Sequence, residues 1–134
     1  MQAYGPGFAQ VYNKRWIAFA RQVAPYLLEF YAQTDQASGN RQVLDLCCGT
    51  GQVARYFLDR GYPVVGLDLS AAMLHYAREN TQPYLASGQA RFVQADAVNF
   101  TLPDRFGLVV STFDALNHLP DLTALRQCFA AVAA

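Results

Sequence analysis

The chain has 134 residues, 53% of them hydrophobic, with ten basic and ten acidic side chains, which is enough apolar material for one globular domain with its own core. A formal charge of zero offers no basic face to a nucleic-acid backbone, so DNA and RNA are disfavoured as partners and a small molecule or peptide is expected. No apolar run is long enough to span a bilayer and the N-terminus lacks the basic-then-apolar pattern of a signal peptide, so no membrane partner is expected and the cytoplasm is the expected location.

Residues 1–7 carry glycines and a tyrosine and read as irregular. From Phe8 to Val23 the apolar positions Phe8, Val11, Tyr12, Trp16, Phe19, Ala20 and Val23 follow helical spacing. Ala24 precedes Pro25, so the helix is expected to end or kink there, and Pro25 to open a second helix through Gln33. A polar linker, Thr34 to Arg41, then separates an N-terminal helical cap, residues 1–40, from a domain spanning residues 41–134.

Val43-Leu44-Asp45-Leu46 reads as a short buried strand, and Gly49 and Gly51 force a tight turn into a helix starting near Gln52. Two residues without a Cβ let a ligand lie against the main chain, where the unpaired N–H groups of the helix start face it. Gly49, Gly51 and Ala54 formally satisfy the fingerprint of dinucleotide-binding folds, a weak signal alone. Asp45 argues against that ligand, because a carboxylate beside the turn repels a pyrophosphate and suits a ligand that brings its own positive charge.

The helix from Gln52 to Arg60 should turn Val53, Ala54, Phe57 and Leu58 inward, with Gly61 as its left-handed cap. Pro63 to Leu67 is a second buried strand ending at Asp68, and Ser70 caps a helix through Asn80. Pro83 to Gln89 reads as a loop and Ala90 to Gln94 as a third strand followed by Asp96. Phe106 to Val110 is a fourth strand, Ser111 to His118 the loop at its carboxyl end, and Asp121 to Ala134 a last helix with Leu122, Leu125, Phe129 and Val132 inward. Strands alternating with helices build an α/β, doubly wound, mostly parallel sheet with right-handed crossovers. Cys47, Cys48 and Cys128 lack the two-residue spacing of a zinc site or redox pair and read as buried thiols, so no metal is expected.

Asp45-x-Cys47-x-Gly49-x-Gly51 resembles the first motif of the class I S-adenosylmethionine-dependent methyltransferases, which usually has glycine where Cys47 stands. That departure is harmless if Cys47 keeps ordinary β or α angles. The resemblance continues through Gly66-Leu67-Asp68-Leu69-Ser70, Gln94-Ala95-Asp96-Ala97 and Val109-Val110-Ser111-Thr112-Phe113-Asp114, in the family's order, and covers roughly Arg41 to the C-terminus. It implies a Rossmann-like sheet ordered 3-2-1-4, S-adenosylmethionine as cofactor and S-adenosylhomocysteine as product. It also implies a cofactor site of Asp45, Cys47, Gly49 and Gly51, with Asp68 on the ribose hydroxyls, Leu69 and Met73 against the adenine, and Asp96 with the Ala97 backbone near its amino group. Thr112 and Phe113 would close the site from the fourth strand, and Tyr12, with Tyr4 and Trp16 as alternatives, would come from the helices lying over the methionine end. Ordinary packing competes with these roles at Tyr12, Trp16 and Met73, and a solvated loop acid competes at Asp96.

Methyl transfer from a sulfonium is an in-line displacement that demands mainly alignment of the acceptor. Where the acceptor must lose a proton, His118 and Asp114 are the candidate bases, and Asn117 could orient the acceptor by a hydrogen bond. The reading is therefore a methyltransferase for a small molecule or peptide. A non-catalytic cofactor-binding or interaction fragment remains an alternative, and a nicotinamide or flavin oxidoreductase is a further one that leaves Asp45 and Asp96 unexplained. The family continues with further elements to seven strands, so the chain corresponds to a truncated, cofactor-binding part of that fold. Self-association through the bare fourth-strand edge or the last helix is then expected.

Overall fold

The computed structural model describes residues 6–15, 17–33, 41–97, 100–102 and 105–111; within the first two segments the side chains of residues 8, 12–15 and 17–19 stay outside the description. Two helices, α1 (Pro6–Arg15) and α2 (Ile17–Ala32), precede β1 (Val43–Leu46), α3 (Gln52–Asp59), β2 (Val64–Asp68), α4 (Ala71–Asn80), a short α5 (Gln82–Leu85), β3 (Ala90–Gln94) and β4 (Leu108–Val110). The four strands form one parallel sheet in the order β3-β2-β1-β4, as the sequence led us to expect. Every residue of β1 and β2 is buried, which is why both read as unbroken apolar runs rather than alternating ones.

The sheet separates two apolar layers. On one side Val43, Val64, Ala90 and Phe92 meet Ala20 and Ala24 of α2, the inward face of α3 and Leu74 and Ala77 of α4. On the other, Leu44, Leu46, Val65 and Leu67 are covered by Ala97, Phe100, Leu102 and Phe106. The buried residues of α3 are Val53, Ala54, Phe57 and Leu58, the four that the periodicity selects, and Gly61 caps the helix at φ 85°. Ser70 caps α4, its hydroxyl accepting the Met73 N–H at 3.2 Å.

Three local readings are corrected. The span from Phe8 to Val23 is divided between α1 and α2 rather than forming one helix, and Pro25 does not open a separate helix, because α2 runs through it to Ala32. A mid-helix proline costs about 3 kcal/mol, and burial of Ala20, Ala24 and Tyr31 around it offsets that cost. The stretch from Pro83 is not all loop: α5 forms there, with Pro83 in its first turn, where the missing N–H does no harm. The fourth strand begins at Leu108 rather than Phe106, and Phe106 packs into the second apolar layer instead. Among the described residues, no helix is long and apolar enough to cross a membrane.

Candidate functional site

At the carboxyl end of β1 the chain makes a left-handed turn that no sequence of ordinary residues would adopt. Gly49 has φ 57° and Gly51 φ 82°, and a Cβ on Gly51 would stand 3.1 Å from both Cα and Cβ of Ala77. Gly51 is thus fixed both by its backbone angle and by the closeness of α4. It is also the N-cap of α3, and it supplies no side-chain cap, so the first N–H groups of that helix lack the usual side-chain acceptor. The turn is anchored by Cys48 N–H donating to Leu67 O at 2.9 Å and Gly51 N–H to Cys48 O at 3.1 Å.

Two carboxylates sit under and beside this turn. Asp68, at the end of β2, accepts Gly49 N–H on Oδ2 and Ser70 N–H on Oδ1, each at 2.9 Å. Burial nevertheless raises its pKa, against the opposing pull of those backbone donors. Leu69 N–H also acts on this carboxyl, and since a carboxylate offers about four lone-pair sites, some acceptor capacity remains. Asp45 is the stranger case. It is 1% exposed, both its oxygens are buried without a hydrogen-bond partner among the described residues, and its pKa is pushed up to about 8 by burial and then by the charge of Asp68. A buried carboxyl with nothing to pair it is costly, and such groups concentrate at functional sites.

The sequence expected Asp45, Gly49, Gly51, Asp68, Asp96 and Phe113 to converge. The structure brings the first four together, and carries Asp96 and Leu69 to the same end of the sheet, where Ala95 N–H donates to Asp68 O at 3.0 Å and Gln94 Nε2 to Leu69 O at 3.1 Å. Leu69 and Asp96 are half-buried and Ala97 is buried in the second apolar layer. Met73 is fully buried. Tyr12 lies in α1 with its side chain outside the described residues. Thr112, Phe113, Asp114, Asn117 and His118 lie outside the described residues, as do Tyr4 and Trp16. His75 is exposed and pairs with Glu79 at 3.4 Å, one turn away on α4. No cluster of metal-binding side chains occurs among the described residues.

Cys47 departs from expectation. It has φ 58°, in the left-handed region, so the condition for a harmless replacement of glycine is not met. A side chain there costs about 1–2 kcal/mol. Because glycine also loses more chain entropy on folding, Cys47→Gly is expected to stabilise the protein by a net ~0.5–1 kcal/mol, seen as a higher urea midpoint with unchanged slope. A lower midpoint would mean that the half-buried Cys47 side chain contributes more packing than its backbone strain costs. Cys48 is the buried thiol that the composition suggested, its pKa raised well above the ordinary value first by burial and then by Asp45 and Asp68, which leaves it unreactive.

One brace escaped the sequence. Asn80, at the end of α4, donates from Nδ2 to Thr50 O at 2.7 Å, while Arg55 Nη1 donates to Asn80 O at 2.7 Å. The turn is thereby held from α4 as well as from β2, by residues thirty positions apart with no shared local pattern.

The site is thus a β-strand, a glycine turn and a helix N-terminus with acids at two neighbouring strand ends, in a chain that is similar to known proteins. The methyltransferase-domain family matches residues 43–134. Malonyl-[acyl-carrier protein] O-methyltransferase of Pectobacterium atrosepticum is 38% identical over 104 residues, covering 69% of this chain and 39% of the relative. YqeM of Bacillus subtilis (strain 168) is 33% identical over 132 residues, covering 94% and 48% respectively. Among solved structures, S-adenosylmethionine-bound CalS10, an amino pentose methyltransferase from Micromonospora echinaspora, superposes with a TM-score of 0.72 at 27% identity, covering 99% of this chain and 52% of that one. The chain spans about half the length, or less, of these relatives. It belongs to the methyltransferase-domain family.

Proposed function

We propose that this chain is the cofactor-binding part of a methyltransferase, taking S-adenosylmethionine at the carboxyl ends of β1 and β2 and serving a small-molecule or peptide acceptor. The observation that carries this reading is the buried, unpartnered Asp45 carboxyl beneath a glycine turn whose helix start is uncapped. That pairing suits a ligand that accepts backbone hydrogen bonds and is cationic, since a positive charge favours the ionised form of Asp45. The solved relative with S-adenosylmethionine bound supports the same cofactor.

In this reading residues 1–40 form a helical cap and residues 41–134 the cofactor domain. Asp68 receives the ribose hydroxyls on its remaining lone pairs, and Leu69 and Asp96 flank the adenine. When bound, the cofactor supplies an electrophilic methyl carbon for in-line displacement. His118 or Asp114 removes the acceptor's proton where one must leave, and Asn117 orients it. The edge of β4, with Val109 36% exposed, supports self-association there.

Calorimetry with S-adenosylhomocysteine tests the site. One-to-one binding is expected, weakened by about 1–3 kcal/mol in Asp68→Ala, which removes the acceptor for ligand hydroxyls. Unchanged affinity in that variant, or tighter binding of a nicotinamide dinucleotide, overturns the proposal.

A further inference from the structure

A cavity of about 630 Å³ opens along the flank of α3, walled by Arg21 of α2, by Gln52, Arg55, Tyr56 and Asp59 of α3, and by Arg60 and Asn80. It places three guanidinium groups against one carboxylate in a chain whose charges sum to zero.

The carboxylate is already committed. Asp59 Oδ1 accepts Arg55 Nε at 2.7 Å and the Tyr84 hydroxyl at 2.5 Å, so it offsets Arg55. Arg55 is further tied down by its bond to Asn80 O. Arg60 also acts on Asp59 through its charge, so one carboxylate is shared between two of the three cations. Arg60 lies flat on the Tyr56 ring, 3.5 Å from its centroid, and donates only to the Tyr56 carbonyl at 3.3 Å. Among the described residues Arg21 makes no ion pair or hydrogen bond, and it is exposed across the groove. Three guanidinium groups against one carboxylate leave an excess of two positive charges around one concave space of the size that small ligands occupy.

We propose that this groove binds a small phosphorylated molecule, its phosphate held between Arg21 and Arg60. A phosphate dianion balances the groove's excess positive charge, and the planar fork of each guanidinium matches phosphate oxygens in pairs. The Arg60 plane stacked on Tyr56 gives the rest of the ligand a flat surface to rest on. The groove runs along α3 from Gln52 to Arg60, and its phosphate site, between Arg21 and Arg60, uses none of the residues assigned to the cofactor, so the inference does not rest on the methyltransferase reading.

Titration calorimetry of the full chain at low salt, with inorganic pyrophosphate as probe and citrate as the carboxylate comparison, tests it. Saturable pyrophosphate binding is expected, tighter than that of citrate, weakened about tenfold in Arg21→Ala and in Arg60→Gln, and unaffected by saturating S-adenosylhomocysteine. Arg21 is exposed, so its variant should retain the wild-type circular dichroism spectrum. Absence of saturable binding overturns the proposal, as does equal affinity in Arg21→Ala or a preference for citrate. Displacement of pyrophosphate by S-adenosylhomocysteine overturns it too, by placing the probe on the glycine turn.

Discussion

Asp45→Asn should unfold at a higher temperature than the parent chain at pH 8, and should lose most of the parent's pH dependence of stability. The folded-state pKa of Asp45 is raised to about 8, against roughly 3.9 in an unfolded chain. Between those values the folded protein holds a proton that the unfolded chain has released, so stability is fully present below about pH 4 and falls as pH rises toward 8. At 1.36 kcal/mol per pH unit, the loss from pH 4 to pH 7 is on the order of 4 kcal/mol, and the raised pKa of Asp68 acts in the same direction. Asparagine keeps the shape and cannot ionise. Its amide is no better partnered than the protonated acid, so only part of that loss is recovered: about 2 kcal/mol at pH 8, or roughly 8 °C in melting temperature. Below pH 4 the order should reverse, the parent with its protonated acid being more stable than the variant by about 3 kcal/mol. Thermal melts from pH 4 to 9 decide the matter, and an unchanged slope in the variant would show that Asp45 is not the titrating group.

The same substitution should cost binding. A cationic ligand settling over the turn lowers the Asp45 pKa, so at pH 7 the parent chain should release a fraction of a proton on binding S-adenosylhomocysteine and the variant should not. Binding enthalpies in buffers of different ionisation heat measure that proton directly. The acid that destabilises the free protein is then the one that the ligand uses, a common relation at sites where stability yields to function.

Much of this site could be read from sequence because turns that require φ > 0 leave a visible trace. Gly49 and Gly51 marked the loop, and the two strand-end acids followed from where the apolar runs stopped. The inward face of α3 was equally legible, since four apolar residues at helical spacing admit one arrangement on a sheet. Pro25 misled because a local rule was outweighed by the burial of α2 around it, which only the assembled fold reveals. The Asn80 brace left no signal at all: an amide at a helix end looks the same whether it bonds water or Thr50 O. Cys47 lay in between, since the glycine expected there already hinted at the angle that the structure displays.

Gly66→Ala should be among the most damaging single-methyl changes in the chain. Gly66 stands in the middle of β2, level with Asp45 on β1 and Phe92 on β3, and the Phe92 ring lies over the space a side chain would fill. A Cβ there would come within 2.5 and 2.6 Å of Phe92 Cδ1 and Cε1, and 3.0 Å of Cys48 Sγ. Phe92 is buried among Val64, Ala90 and α4, so its ring has little room to retreat. Overpacking of this kind costs about 3 kcal/mol, or roughly 10 °C in melting temperature. The harm should reach the site, because Cys48 belongs to the glycine turn and its displacement moves the N–H groups that face a ligand. S-adenosylhomocysteine should therefore bind Gly66→Ala more weakly even at a temperature where the variant is fully folded. A smaller ring-side neighbour should relieve the clash: Gly66→Ala with Phe92→Leu should be more stable than the sum of the two single changes predicts, by about 1 kcal/mol or more. Strict additivity, or a melting temperature for Gly66→Ala within a degree of the parent, would show that Phe92 yields freely and that the glycine at this position is not required by packing.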